Sequence, residues 1–296
     1  MKIAKRDPIY TEHSRHNHPH ITVEPGERFL VETELCSGRW LQSPEDQWDP
    51  SKTEGANPCV CVSVAGAQPG DMLAVAIDSI NVGSLGYTGF HGDHHSLAHR
   101  IHRHPWELTT KTVSIRDGFV EWDLGKKLPV RPMIGTLGTA PEREVISNSS
   151  GGPHGGNMDA QEITTGTTVY LPVHVPGGLL HIGDAHALQG DGEINGGGGI
   201  ECRATVEMTA HARSRFDGMQ WIRAENAEYL ITVACSSTAE ESFYQAAGEL
   251  LRWVMQTNAM SEPDAYLLLG QVMEARCTQF VNPTRTYVCK IRREYL

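Results

Sequence analysis

The chain has 296 residues, with 25 Lys and Arg against 36 Asp and Glu, a formal charge of −11. That acidic balance argues against nucleic acid as a partner, because phosphate binding draws on clustered Lys and Arg. No apolar run approaches the ~20 residues of a membrane helix, so neither nucleic acid nor membrane is expected as a partner; the unusual features are 30 glycines and 15 histidines.

In chain order, Met1 to His18 lacks the apolar stretch of a secretory leader, and a cytoplasmic protein is the expectation. His13, His16, His18 and His20 read as a surface arm. Segments rich in Val, Ile, Leu and Thr follow at 28–36, 58–64, 71–82, 111–116 and 119–123, then at 167–175, 179–186, 200–209 and 229–236. Gly, Pro, Asn or Asp stands between most of them, which is strand punctuation. Ala204, Val206 and Met208 alternate with Arg203, Thr205 and Glu207, giving one buried face. Many short strands with frequent turns read as a sandwich or barrel. Six histidines crowd 91–104; a solvated loop-and-turn segment, a pocket lid and a second metal site are all open readings there. The seven cysteines are odd in number and irregular in spacing, and they read as buried free thiols.

The pattern changes after Ser236. Ser237 with Glu240, and Thr238 with Glu241, are overlapping capping boxes. Behind them Phe243, Ala246, Ala247, Leu250, Leu251 and Val254 recur at helical spacing. Ser261 opens a second helix with Pro263 in its first turn, its apolar face carrying Leu267, Leu268, Val272 and Ala275. A closing strand is expected at 286–292. The fold class is therefore mainly β with an α/β C-terminal part. Residues 1–236 form the β region, and 237–296 supply two helices and a strand packed on it.

Chemistry concentrates at 147–199, which holds 14 of the 30 glycines. Asn157 and Asp159 are two residues apart, so an extended backbone points both to one side. On a continuing strand Asp184 and His186 share a face, and so do Asp191 and Glu193. Carboxylates and an imidazole in this setting suit Zn²⁺ or a similar divalent ion. A carboxylate left uncoordinated can serve as base toward water activated by that ion. Ordinary turn chemistry also collects Asp and Asn beside glycine. The whole group nevertheless asks for a cation, since several acids packed beside apolar strands repel one another.

Three runs carry a resemblance: Gly155 to Asp159 (GGNMD), Val169 to Gly178 (VYLPVHVPGG) and Gly183 to Glu193 (GDAHALQGDGE). Together they resemble the central signature of the acetamidase/formamidase family. Asn57 to Asp71 resembles its early strand and turn, and the segment from Ser237 through Leu269 its closing helices. The resemblance implies a jelly-roll-like β-sandwich with a smaller α+β subdomain, hydrolysis of small linear amides to carboxylate and ammonia, and a homo-oligomer, dimer or higher. It further implies a divalent metal, zinc or calcium. Carried over by position, the site is Asn157, Asp159, Asp184, His186, Asp191 and Glu193. As a chemical assignment, Asp159, Asp184 and His186 hold the ion, Asn157 is either a further ligand or the group that orients the substrate amide, Glu193 handles protons, and Asp191 assists it or completes the ligand set. His181 is expected to be structural. The segments 40–55 and 91–104 depart from the family pattern.

Overall fold

The computed structural model describes residues 1–90, 101 and 107–296. The histidine-rich run at 91–104 therefore lies, but for Ile101, outside the described residues. Strands dominate, as the Val, Ile and Thr content requires. Eighteen of them join one curled, mostly antiparallel sheet. Its longest members are Asp71–Phe90 and Ile200–Ser214, which pair along most of their lengths. In the second of these, Ala204, Val206, Met208 and Ala210 are buried while their neighbours are half-buried, the alternation that a one-sided core demands.

Four pairings position the chemistry. Met133–Thr139 lies between Gly155–Asn157 and Leu180–Leu188, so that Thr136 faces Asn157 on one side and Gly183 on the other. Leu180–Leu188 pairs in turn with Ile200–Ser214, setting His186 opposite Glu201. Glu201 also pairs with Tyr87 of Asp71–Phe90. Beneath these strands Val60, Val62, Ile134, Leu137, Ile182 and Val206 belong to a single buried apolar cluster. Its burial supplies the main drive for folding, at ~25 cal/mol per Å² of apolar surface.

The two C-terminal helices form where the capping boxes place them. In α1, Ala239–Asn258, Thr238 Oγ1 accepts from the Glu241 amide at 3.1 Å. In α2, Glu262–Val272, Ser261 Oγ accepts from the Asp264 amide at 3.3 Å. Ala246, Leu250, Trp253 and Val254 of α1 pack with Ala265 and Leu269 of α2 onto Leu230, Ala234, Cys289 and Ile291. The closing strand is Arg285–Arg292. Ala275, expected on the face of the second helix, instead lies in a strand, Glu274–Gln279, paired with Arg285–Arg292. The chain leaves helical geometry at Met273 (φ −66°, ψ 130°), and the edge of the closing strand captures it.

The N-terminal segment is not a surface arm. Glu12–His13 pairs with Ile146–Ser147, and His13, Ser14 and Asn17 are buried while His16 and His18 are exposed. Asn17 Nδ2 donates to the Glu12 carbonyl and lies 2.9 Å from His181 Nε2, which fastens the segment down. All seven cysteines are free, five of them buried.

Candidate active site

Sheet register gathers a buried acidic cluster against a cavity of about 300 Å³. Asp159, Asp184, His186, Glu193 and Glu201 are each at most 6% exposed. His186 is the hub. Its Nε2 lies 3.0 Å from Glu201 Oε1, 3.3 Å from Asp184 Oδ1 and 4.0 Å from Asp159 Oδ1. Its Nδ1 lies 2.8 Å from Gln189 Oε1. Gln189 donates through Nε2 to the carbonyls of Asp159 and Thr278, which fixes the amide with its oxygen toward the ring. Nδ1 therefore carries the proton, and Nε2 presents either a second proton or a lone pair to the carboxylates.

Backbone conformation aims these groups. Asn57, Asp159, Asp184 and Glu193 all have positive φ, between 43° and 60°. Non-glycine residues adopt this region at a cost of order 1–3 kcal/mol each, and such costs concentrate at functional sites. Gly135 makes the close approach of two acids feasible: a Cβ there would stand 2.5 Å from both Asp159 Oδ1 and Asp184 Oδ2. The four-glycine run at 196–199 likewise passes over Glu201, where a side chain on Gly198 would overlap the carboxylate.

Polar neighbours sort the acids. With the Asn157 amide oriented to satisfy its surroundings, Nδ2 donates to Asp184 Oδ2 at 2.9 Å and lies 3.3 Å from Asp159 Oδ1. Its Oδ1 accepts from Asn282 Nδ2 at 2.8 Å and Asn57 Nδ2 at 3.0 Å. Asn157 lines the cavity, and both its amide protons go to these two acids. Thr136 Oγ1 lies 3.1 Å from Asp184 Oδ2, and Asn282 Nδ2 also donates to Asp159 Oδ2.

The charges do not balance. Two like charges 4 Å apart repel by about 4 kcal/mol at an effective dielectric of 20. Four carboxylates meet one imidazole, and among the described residues no Lys or Arg pairs with them. Burial and the neighbouring Asp184 raise Asp159 to about 7. Burial raises Glu201 to about 8 against the pull of His186. Burial and Asp159 push Glu193 well above its ordinary value. Burial works against ionisation of Asp184 too, but His186, Glu201 and Thr136 outweigh it and hold this acid low. His186 is raised well above its ordinary value: burial opposes its charge, and Glu201 and Asp184 overcome it. Protons thus fill the space between acids wherever no cation does.

The donor set fits a divalent ion. Ligand atoms of Asp159, His186 and Glu193 lie within 4.8 Å of one another, and so do those of Cys36, Asp184 and Glu201. Glu193 Oε2 and Glu201 Oε2 are buried without a hydrogen-bond partner, as acids awaiting a cation would be.

Five of the six residues expected from sequence come together here. Asp191 does not. Instead of a strand, Asp191–Glu193 is a short 3-10 turn with Gly192 at φ 82° and Glu193 at φ 45°. The turn buries Glu193 and sends Asp191 outward, 3.5 Å from Arg276 Nε and 3.2 Å from Gln161 Nε2. Sequence reasoning missed Glu201, Asn282 and Cys36. Glu201 directly follows the glycine run and Ile200, the only local signal that it had.

The cavity is also lined by Cys36, Trp48, Tyr87 and Phe90. Comparison with known proteins bears on this arrangement. A profile of the Acetamidase/Formamidase family matches residues 4–151 and 146–248. An acetamidase of Mycolicibacterium smegmatis is 26% identical over 274 residues, covering 69% of this chain and 66% of its own. A formamidase of Methylophilus methylotrophus is 28% identical over 244 residues, covering 63% and 59%. The alignments thus span less than two thirds of these curated relatives. The crystal structure of an acetamidase from Bacillus halodurans superposes with a TM-score of 0.90 at 30% identity, over 99% of this chain and 98% of that one. With the profile and the fold in agreement over most of its length, the chain belongs to the Acetamidase/Formamidase family.

Proposed function

We propose that this protein hydrolyses small linear amides to a carboxylate and ammonia, using a divalent cation held by Asp159, Asp184 and His186, zinc before calcium. The observation that carries the reading is that four carboxylates line a cavity of about 300 Å³ with the His186 imidazole buried against three of them. A pocket of that size suits a small substrate. When bound, the cation supplies Lewis-acid charge for the tetrahedral oxyanion and for acidifying water.

The protein's own groups do the rest. Glu193 takes a proton from the attacking water at Oε2, the atom left without a partner. It then returns that proton to the departing nitrogen, because an amide nitrogen leaves only once protonated. Burial and Asp159 raise its proton affinity, which favours its holding a proton for the leaving nitrogen. Asn157 and Thr136 hold the two aspartates in place, and Trp48, Tyr87 and Phe90 bound the acyl side. No helix among the described residues is long and apolar enough to cross a membrane. The seven free cysteines support a cytoplasmic setting, and exposed Tyr244, Tyr266 and Leu267 on the C-terminal helices support assembly into a homo-oligomer.

The test is ammonia release from formamide, acetamide and propionamide by protein of measured metal content. Glu193→Gln is expected to lower kcat by about 100-fold or more, and wild-type turnover by that variant would remove Glu193 from the mechanism. Full activity after chelation to a metal-free state would remove the cation. Ammonia from none of the amides would overturn the reading as a whole.

A further inference from the structure

Cys36 is, among the described residues, the one thiol that lines the cavity. It lies on the side of the cluster where Glu201 meets His186. Its sulfur lies within 4.8 Å of ligand oxygens of both Asp184 and Glu201. Glu201 is 1% exposed, and its Oε2 has no hydrogen-bond partner. A polar chain holds the thiol in place. Trp40 Nε1 donates to Ser37 Oγ at 2.8 Å, Ser37 Oγ lies 2.5 Å from Tyr87 Oη, and Tyr87 Oη lies 2.8 Å from Cys36 Sγ. Because Ser37 accepts from the indole, its own proton is free for Tyr87, and the phenolic proton then points at sulfur. An outer-shell donor of this kind steadies an anionic ligand atom.

We propose that Cys36, Asp184 and Glu201 form a sulfur-containing cation position beside His186, which commits the centre to a zinc-like ion and against calcium. This rests on the reading that the buried cluster holds a cation. As the sulfur–metal bond forms, the thiol proton leaves to solvent through the cavity, and the thiolate with its two carboxylates surrounds the ion. Calcium takes oxygen ligands only, whereas thiolate favours zinc and its neighbours. Cys59 is the control. It is buried beside Asp184 without lining the cavity, and its sulfur faces the Asn57 carbonyl at 3.3 Å.

The experiment titrates chelator-stripped, full-length protein with cobalt(II). Absorption spectra report the ligands, and equilibrium dialysis counts the bound ion. The expected result is an ultraviolet sulfur-to-cobalt charge-transfer band that grows with bound cobalt in the wild type and in Cys59→Ala. The band is lost in Cys36→Ser, while cobalt still binds through His186 and the carboxylates. Cobalt bound by the wild type without the band overturns the proposal, as does a band that survives in Cys36→Ser. Dialysis that finds no cobalt on the wild type overturns the cation reading itself, a distinct result. Should Cys36→Ser not fold, alkylation of wild-type protein decides: cobalt must protect Cys36 from iodoacetamide, and equal labelling with and without cobalt counts against sulfur ligation.

Discussion

At the scale of single residues, the site depends on groups that do not line its cavity. Gln189 is the clearest case, because its amide is pinned by two carbonyls and so fixes which nitrogen of His186 faces the acids. Replacing Gln189 with Leu keeps the volume and removes the acceptor. The ring is then free to turn or change tautomer, and metal affinity is expected to fall about 10–100-fold, measured by competition with a chromophoric chelator. Unchanged affinity would show that the sheet alone orients His186. Asp159, Asp184, His186 and Glu193 were legible in the sequence because glycine-rich turns set them off from the apolar strands. Glu201 was not, because what makes it part of the site is its pairing partner, His186, and strand register is a tertiary property. Asp191 was misread for a related reason: two-residue spacing implies a shared face only if the backbone is extended, and two successive positive φ values break that rule.

At the scale of elements, α1 is tied to the sheet by a buried ion pair as well as by its apolar face. Arg223, 0% exposed, donates through Nε to Glu249 Oε1 at 2.6 Å. Its guanidinium packs against both Phe216 and Trp253, 5.0 and 5.2 Å from their ring centres. Glu249 Oε2 accepts from Arg252 at 2.6 Å and from the Gln220 amide at 3.0 Å. Glu249→Ala would strand a buried guanidinium, so a loss of about 3–5 kcal/mol is expected, read from the urea midpoint. A loss below about 1 kcal/mol would mean that the two aromatic rings carry Arg223 by themselves. The helix was readable down to its cap, because Thr238 and Glu241 act locally. The strand Glu274–Gln279 was not, since its sequence suits either state and only pairing with the closing strand decides.

At the scale of the whole molecule, stability is tied to pH through histidines remote from the chemistry. His154 from the turn before Gly155 and His181 from Leu180–Leu188 pack against His13 of the N-terminal segment, edge-on and tilted, with ring centres 4.9 and 4.6 Å from it. They join the first residues of the chain to its central strands. Burial holds His154 and His181 down at about 4, and holds His13 well below its ordinary value. Below the unfolded value of about 6.5 the unfolded chain takes up protons that the folded chain refuses until about pH 4. Stability therefore drains away as pH falls through that window, by up to about 3 kcal/mol for each of His154 and His181. Asp159 and Glu201, raised to about 7 and about 8, act in the opposite sense. Each binds its proton more tightly folded than unfolded, so their contribution is fullest below about pH 4 and shrinks as pH rises. Comparing wild type with His154→Gln at each pH cancels the carboxylates and leaves the difference to His154 and its repulsion of His13 and His181. The variant is expected to be less stable than wild type near pH 7 and to lose that deficit, or reverse it, near pH 4.5, in urea titrations of metal-free protein. A deficit that stays constant over this range would mean that His154 titrates alike in both states, and that acid acts on this molecule elsewhere.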